Sequence, residues 1–170
     1  LIFLFLLIVT VFYYQKNFFL QNFYQSIENI SKKYEYQYKN LNTSGLNKVK
    51  YSFIESKLSK YLNSSIFLLP LDKINIEIKE NNWIENVKLS TNYKDTLFVK
   101  VKEYRPLGIY SFNNKSFYFD ENGKIIDEKN NNLNNDKYII FKGQSSNLEA
   151  KNIIEVIENI NFKKKYNIKE

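Results

Sequence analysis

The side chains with which this chain could do chemistry are carboxylates, hydroxyls, amines and one guanidinium, because its 170 residues include no Cys and no His. Thiolate nucleophiles, imidazole acid–base catalysis and zinc sites built on these residues are therefore excluded. The neighbouring carboxylates Asp120 and Glu121 precede the turn signal Asn122-Gly123. Adjacent residues on a solvated turn cannot face each other across a cleft, as the paired carboxylates of glycosidases do. We predict no catalytic residue, no cofactor and no metal site, and we expect the protein not to be an enzyme.

Phosphate-binding and nucleic-acid-binding chemistry also lacks its usual residues. The chain has four Gly, which are too scattered to form a Gly-rich phosphate loop. Its net charge of +7 comes almost entirely from Lys, with Arg105 as the only Arg, whereas nucleic-acid surfaces usually grip phosphate with the planar fork of Arg. Ser and Lys are abundant, but nothing in their spacing positions a Ser–Lys dyad. We expect neither a nucleic-acid partner nor a small-molecule substrate.

The clearest pattern in the sequence runs from Trp83 to Pro106 and predicts a β-hairpin. Alternate residues of its first half are Val87, Leu89, Thr91 and Tyr93, and alternate residues of its second half are Leu97, Val99 and Val101. This alternation is typical of strands with one face on a core and the other, here carrying Lys100 and Lys102, in water. Trp83, the only Trp, is predicted to be a core anchor.

Two short segments of this hairpin are the candidate partner-binding surfaces. One is the turn, with Lys94, Asp95, Thr96 and Leu97, and the other is the exit, with Glu103, Arg105 and Pro106. Each segment also has a structural interpretation. Asp and Thr form turns through side-chain hydrogen bonds, and Pro ends a strand because it cannot donate to the ladder.

The first 14 residues, Leu1 to Tyr14, are almost entirely apolar. As a helix they span roughly 21 Å, which is shorter than the ~30 Å hydrocarbon core of a bilayer. They suit either the apolar region of a signal peptide or a transmembrane helix whose first residues are missing. No small-residue cleavage site follows, and Tyr13, Tyr14 and Lys16 suit a membrane interface. We therefore predict a transmembrane helix over residues 1–20, in a chain truncated at its N-terminus.

A helical stripe follows this apolar run and predicts a juxtamembrane helix over residues 21–33. The stripe, which we expect to pack on the following domain, consists of Phe19, Phe23, Ile27, Ile30 and Tyr34. A first strand is then expected within residues 34–46. A capping box over residues 52–55 predicts the next helix, with Ile54, Leu58, Tyr61 and Leu62 on its inner face.

The pattern over residues 72–79 is ambiguous. Ile74, Ile76 and Ile78 alternate as in a strand, whereas Leu71, Ile74 and Ile78 suit a helix capped by Asp72. Periodicity alone slightly favours the strand.

The last third of the chain predicts strands followed by a helix. Strands are expected after Pro106 and on both sides of the Asn122-Gly123 turn. An Asn-rich loop is expected over residues 130–135 and a short buried strand over residues 138–141. A helix near residues 147–161 is marked by Ile153, Val156, Ile157 and Ile160.

In this order the chain resembles the bacterial cell-division family FtsQ/DivIB. The family has a Trp-Ile/Val pair at the start of the second strand of its POTRA domain, a Pro-x-Thr-Leu turn, a Val-x-Glu-x-x-Pro exit and an Asp-x-x-Gly hairpin. The corresponding segments here are Trp83-Ile84, Lys94–Leu97, Val101–Pro106 and Asp120–Gly123. One departure is that Lys94 occupies the position of the usual Pro. The chain also ends before most strands of the family's second domain.

The resemblance implies an α+β fold with an N-terminal transmembrane helix. A POTRA-like β-α-α-β-β module over residues 34–106, with residues 72–79 as its second helix, then precedes a partial antiparallel β domain with one helix over residues 107–170. It implies a non-catalytic divisome assembly protein, single-pass in the inner membrane, with most of the chain extracytoplasmic at the septum. The implied partners are FtsB/DivIC-like and FtsL-like proteins. The alternative is a membrane-anchored POTRA-type binding or chaperone-like module for secretion or outer-membrane assembly.

Overall fold

The computed structural model describes residues 2–129 and 138–165 and divides into two compact units. The side chains of residues 3, 4, 6–9, 12–14 and 161–165 lie outside this description. The first unit comprises Leu1–Glu80 and Asn86–Val101, and the second comprises Asn81–Glu85 and Lys102–Glu170. The predicted α+β class is confirmed, since both units combine helices with a β-sheet.

The first unit has the predicted β-α-α-β-β order after a long helix. Its elements are α1 (Ile2–Lys33), β1 (Asn40–Ser44), α2 (Tyr51–Leu58), a 3₁₀ turn (Ser59–Tyr61), α3 (Leu71–Ile78), β2 (Ile84–Thr91) and β3 (Thr96–Glu103). The sheet order is β1-β3-β2. Strands β1 and β3 are parallel, with Asn40 opposite Thr96 and Ser44 opposite Lys100. The connection between these two strands carries α2 and α3, as a parallel crossover requires.

The core of the first unit lies between the sheet and the helices. From β3 it receives Leu97, Val99 and Val101, all buried, which confirms the predicted face of that strand. The helices contribute Ile54, Leu58, Ile74 and Ile78, also buried. Two predicted positions were wrong: Leu62 is exposed beyond the end of α2, and Tyr93 lies in the hairpin turn with its side chain 71% exposed.

The ambiguous segment is the helix α3. Ile74 and Ile78 are fully buried, whereas Ile76 is 68% exposed, because residues four apart share a helical face and residues two apart do not. Next to Ile78, the half-buried Glu77 forms an ion pair with Lys60 at 2.6 Å. This contact lowers the pKa of the Glu77 carboxyl and raises the pKa of the Lys60 ammonium.

Both predicted helix caps were wrong. Helix α2 begins at Tyr51 after Lys50, so Ser52 already lies inside the helix and cannot cap it. Helix α3 begins after Pro70, so Asp72 lies within the first turn. A carboxylate there interacts with the positive end of the helix dipole without replacing a cap. Several residues capable of capping lie near each helix start, and sequence alone did not identify the boundary.

Helix α1 is tied to the first unit through its last turns. Both carboxylate oxygens of Glu28 accept the backbone N–H of Ser65, at 3.1 and 3.0 Å. The buried hydroxyls of Ser31 and Ser65 hydrogen-bond to each other at 2.7 Å. The helix was predicted to extend to Lys33, which is confirmed.

The packing predicted for the apolar stripe of α1 was wrong. Phe19, Phe23, Ile30 and Tyr34 are exposed, since α1 contacts the unit through the side that carries Glu28 and Ser31. No helix in the described parts of the chain combines the length and the apolar character that a membrane crossing requires.

The second unit contains a four-stranded mixed sheet and one helix. Its elements are β4 (Gly108–Phe112), β5 (Lys115–Phe119), β6 (Ile125–Glu128), β7 (Ile140–Lys142) and α4 (Ser146–Lys165). The sheet order is β6-β5-β4-β7. The pairs β4–β5 and β5–β6 are antiparallel, as predicted, but β7 runs parallel to β4. The predicted purely antiparallel arrangement was therefore wrong for β7. This strand runs in the same direction as its neighbour β4, and strands with parallel directions need a long connection between them.

Two apolar patterns of the second unit do not match its packing. On β7 only Phe141 is buried, whereas Ile139 and Ile140 are exposed. Helix α4 packs through Ala150 and Ile154. The residues that marked it in the sequence, Ile153, Val156, Ile157 and Ile160, are all exposed. The predicted loop over residues 130–135 lies outside the described residues.

A pair of substitutions in α3 tests the helical assignment. Ile74→Ala should lower the free energy of unfolding by about 2–5 kcal/mol, because it leaves a cavity in the core. Ile76→Ala is the matched control and should change the free energy of unfolding by less than about 0.5 kcal/mol. Urea denaturation of both variants measures the difference. Equal losses would indicate that Ile74 and Ile76 share a face, as they would in a strand.

Candidate functional site

The predicted partner-binding residues lie at opposite ends of β3. Lys94 and Asp95 are in the β2–β3 turn, and Thr96 and Leu97 begin the strand. At the other end, Glu103 is the last strand residue and Arg105 and Pro106 follow it. The structure therefore places these residues on two separate surfaces.

The turn is organised by Asn92, a residue that the sequence analysis did not identify. Its Oδ1 accepts the backbone N–H groups of Lys94, Asp95 and Thr96, each at 2.9 Å. This is an Asx turn, in which a short amide side chain replaces backbone acceptors. The signal was present in the sequence as Asn followed by polar residues, but Asn is too frequent in this chain for that signal to stand out.

Asp95 is held inside the same turn by side-chain and backbone contacts. Its carboxylate accepts hydrogen bonds from Asn92 Nδ2 at 2.9 Å, Thr96 Oγ1 at 2.7 Å and Asn40 Nδ2 at 3.2 Å. Its carbonyl oxygen accepts the N–H groups of Lys39 and Asn40 beside β1. The hydrogen bond from Asn92, then that from Thr96, holds the pKa of the Asp95 carboxyl below its usual value.

The turn consequently offers few side chains to a partner. Asp95 and Thr96 form the turn itself, and Leu97 is fully buried in the core. The exposed side chains at the tip are Lys94 and Tyr93, which adopts a positive φ of 58°. Tyr93 was predicted on the inner face of the hairpin, so its exposed position is a correction as well as an addition to this surface.

The exit of the hairpin is anchored by Trp83. The indole Nε1 donates to Asp127 Oδ2 at 2.8 Å, and the ring packs on Tyr118 with centroids 5.3 Å apart. The carbonyl oxygen of Trp83 accepts the N–H of Tyr104 at 2.9 Å. The prediction that Trp83 is a core anchor is confirmed, and its contacts lie in the core of the second unit.

A groove of about 780 Å³ lies beside this exit, within the second unit. Its lining residues are Glu85, residues 102 and 104–107, and Asp120, Glu121, Asn122 and Lys124. Asp120 is buried, and its Oδ1 accepts the N–H groups of Asn122 and Lys124 at 3.0 and 2.9 Å. The two adjacent carboxylates thus have different surroundings, because Asp120 stabilises the turn and Glu121 is exposed.

Nothing in this geometry assembles a nucleophile, a base and an oxyanion donor. The buried Asp120 carboxylate already binds backbone amides, and Lys102 is paired with Glu85 at 2.7 Å. Within the described residues, no cluster of three or more carboxylates has the arrangement of a metal site. The exposed side chains of Lys94 and Arg105 give each hairpin surface a positively charged group.

Comparison with known proteins agrees with this architecture. Residues 37–104 match the family described as POTRA domain, FtsQ-type. Proteins named cell division protein FtsQ from three Rickettsia species are similar in sequence: 31% identical over 108 residues in Rickettsia bellii, 28% over 137 residues in Rickettsia typhi and 32% over 111 residues in Rickettsia felis. The resemblance to the FtsQ/DivIB family is confirmed.

The similarity to these FtsQ proteins covers only part of each relative. The aligned region is 61%, 81% and 65% of this chain, but 40%, 49% and 40% of the relatives from R. bellii, R. typhi and R. felis. The chain therefore spans about half the length of the curated FtsQ relatives or less. The POTRA match covers all of β1, α2, α3, β2 and β3, the elements that form the sheet of the first unit.

Replacement of Asp95 tests the structural role of the turn through its pH dependence. The pKa of Asp95 is lower in the folded state than its usual value of 3.8. Its contribution to stability is therefore complete above the unfolded pKa and is lost as the pH falls through the folded pKa. Asp95→Asn removes this titration, so its unfolding free energy should decrease less than that of the parent protein as the pH falls below 3.8.

Urea denaturation at a series of pH values from about 6 to about 2 measures this difference. Asp72→Asn is the control, because it removes an exposed carboxylate elsewhere in the first unit. The control should retain the Asp95 component of the acid loss. Parallel pH curves for Asp95→Asn and the parent would contradict the proposed role of the carboxylate in the turn.

Proposed function

We propose that this protein is a membrane-anchored, non-catalytic cell-division protein that connects other division proteins at the septum. The observation that carries the proposal is the FtsQ-type POTRA match over residues 37–104, together with relatives named for cell division. The absence of Cys and His from the sequence is consistent with a role in binding rather than catalysis. The proposed module boundaries remain residues 34–106 for the POTRA-like domain and 107–170 for the β domain.

Membrane anchoring is the second part of the proposal. The apolar run from Ile2 to Tyr14 belongs to the single long helix α1, and its closing tyrosines are followed by Lys16, as at a membrane–water interface. We propose that residues 1–20 belong to a single inner-membrane span with the N-terminus in the cytoplasm. Helix α1 would then continue directly into the extracytoplasmic first unit, to which Glu28 and Ser31 attach it.

The proposed mechanism of recruitment is β-augmentation, in which a partner strand pairs with an open sheet edge. In the first sheet, β2 is an edge strand because the order is β1-β3-β2. Lys88 on β2 is exposed, and Lys on an edge strand reduces unspecific pairing. The proposed partners are FtsB/DivIC-like and FtsL-like membrane proteins, which the family resemblance implies.

Localisation tests the cell-division assignment. A fluorescent fusion of the full-length protein should concentrate at midcell in dividing cells, because a septal connector acts where the division complex assembles. A uniform envelope signal would contradict the proposal and favour the alternative of a POTRA-type module for secretion or outer-membrane assembly. A reporter active only in the cytoplasm, fused after Glu170, should be inactive if this part of the chain is extracytoplasmic.

Charge reversal tests the two hairpin surfaces. The triple variant Lys94→Glu, Glu103→Lys, Arg105→Glu should reduce recruitment of later division proteins to midcell, while the changes at the exposed residues Lys94 and Arg105 should each alter stability by less than about 0.5 kcal/mol. The control reverses three exposed charges of the second unit: Lys142→Glu, Lys151→Glu and Glu158→Lys. Recruitment is measured from the midcell fluorescence of a tagged partner. Equal recruitment in the triple variant and the control would remove both hairpin surfaces as partner sites.

A further inference from the structure

The groove beside the hairpin exit has the form of a surface for a chain segment rather than for a small ligand. Its volume is about 780 Å³, but Arg105, Glu121 and Asn122 on its walls are exposed. Pockets for small molecules usually enclose most of the ligand surface. An open groove that is lined by charged, polar and apolar side chains instead suits an extended peptide that contacts it along one side.

Two of the three cations of this groove already have partners. The Lys102 ammonium pairs with Glu85 at 2.7 Å. The Lys124 ammonium lies 4.3 Å from the centroid of the Tyr104 ring and donates to its hydroxyl. Among the described residues, none forms an ion pair or a hydrogen bond with the guanidinium of Arg105. Arg105 is thus the cation of the groove that remains available to a bound molecule.

The backbone holds Arg105 in position from both sides. The N–H of Tyr104, immediately before it, donates to Trp83, and the N–H of Leu107 donates to Phe119 at 2.8 Å. Pro106 fixes its own φ and restricts Arg105 to extended conformations. A side chain on a fixed backbone loses less conformational entropy on binding than one on a mobile loop.

The chemistry of the Arg105 guanidinium indicates which kind of group it binds. A guanidinium forms two parallel hydrogen bonds with a carboxylate, which the ammonium of Lys cannot reproduce. The Asp120 carboxylate, which also lines the groove, is buried and bound to amides, so it does not compete for Arg105. The exposed Glu121 would repel any acidic residue of a bound segment that came close to it.

From these observations we infer that the groove binds an extended segment of a partner protein, with an Asp or Glu carboxylate of that segment held by Arg105. This inference rests on the proposed function, since it specifies the chemistry of a partner for the exit surface. The preferred residue of the partner is acidic, and its position in the groove is at Arg105.

Photo-crosslinking in cells tests the inference directly. The full-length protein carries Asn122→p-benzoylphenylalanine, which places the reactive group on an exposed residue that lines the same groove as Arg105. Crosslinked peptides are identified by mass spectrometry. We expect a peptide with an Asp or Glu close to the attachment point, and we expect its yield to fall at least about tenfold with Arg105→Ala, as for a lost charge-assisted hydrogen-bond pair.

Two further variants separate the fork of Arg105 from its charge and from folding. Arg105→Lys keeps the positive charge and should still lower the yield, whereas the control Lys142→Ala, on an exposed residue of β7, should not. Replacing the identified acidic residue of the partner by Lys should abolish crosslinking, and combination with Arg105→Glu should restore it. Each variant is first checked for an unchanged unfolding transition.

Four outcomes of the crosslinking experiment would contradict binding of an acidic segment at Arg105. Crosslinks to lipid, crosslinks to peptides without an acidic residue, a yield unchanged by Arg105→Ala, or no crosslink from a folded protein would each overturn the inference. Midcell localisation without an Arg105-dependent crosslink would reject the groove but leave the cell-division proposal intact. Crosslinking of an acidic segment in a protein that does not localise to midcell would support the groove and reject the cell-division assignment.

Discussion

The central position of β3 is the constraint on which the first unit depends. This strand pairs with β1 on one side and β2 on the other, and its inward side chains Leu97, Val99 and Val101 are buried. Because β1 and β3 are parallel, the chain between them must cross the sheet, and α2 and α3 use this crossing to cover its inner face. At the end of β1, Gly45 has a φ of 81°, and a Cβ there would lie only 2.0 Å from the carbonyl oxygen of Val101. The parallel pairing of β1 with β3 therefore depends on the alternating apolar side chains of β3 and on a glycine at position 45.

The same strand explains why few hairpin side chains are available for binding. At one end, Asp95 and Thr96 form the turn together with Asn92, and Leu97 enters the core. At the other end, Trp83 accepts the backbone N–H of Tyr104. Structural requirements therefore use Asp95, Thr96 and Leu97, three of the seven residues that the sequence offers as a binding site. The remaining exposed groups differ in chemistry: Lys94 and Tyr93 at the turn, and Arg105 at the exit.

Prediction of buried residues from the sequence was most successful where the apolar residues follow a single periodicity, because that periodicity determines which face is buried. The alternation of Leu97, Val99 and Val101 could be interpreted in only one way, and the structure confirms it. At α3 the pattern supported two periods, because Ile74 and Ile78 are buried in either case and only Ile76 distinguishes them. The family resemblance, rather than periodicity, selected the helix.

Other features could not be predicted because periodicity identifies an apolar face without identifying what covers it. The exposed stripes of α1 and α4 are examples: Phe23 and Ile157 mark real helices but do not pack in the described structure. The turn of the hairpin illustrates a different limit. Asn92 determines its geometry through three backbone amides, but an Asn in an Asn-rich chain carries little signal. The β4–β5 hairpin has a different turn, in which both Asn113 and Asn114 have a positive φ. This turn was also not predicted, because Asn is frequent throughout the chain.

The attachment of α1 at Glu28, Ser31 and Ser65 has a mechanical consequence. A helix of 32 residues is about 48 Å long, and the contacts of Glu28 and Ser31 with the first unit lie near one of its ends. It therefore acts as a lever, and a tilt of about 5° at the Ser65 contact would move its distant end by about 4 Å. Conversely, a sideways force at that end would be amplified by the length of the helix. It would act on the hydrogen bonds that Glu28 and Ser31 form with Ser65. The loop at Ser65 is therefore the part of the first unit that a pull on α1 would displace first.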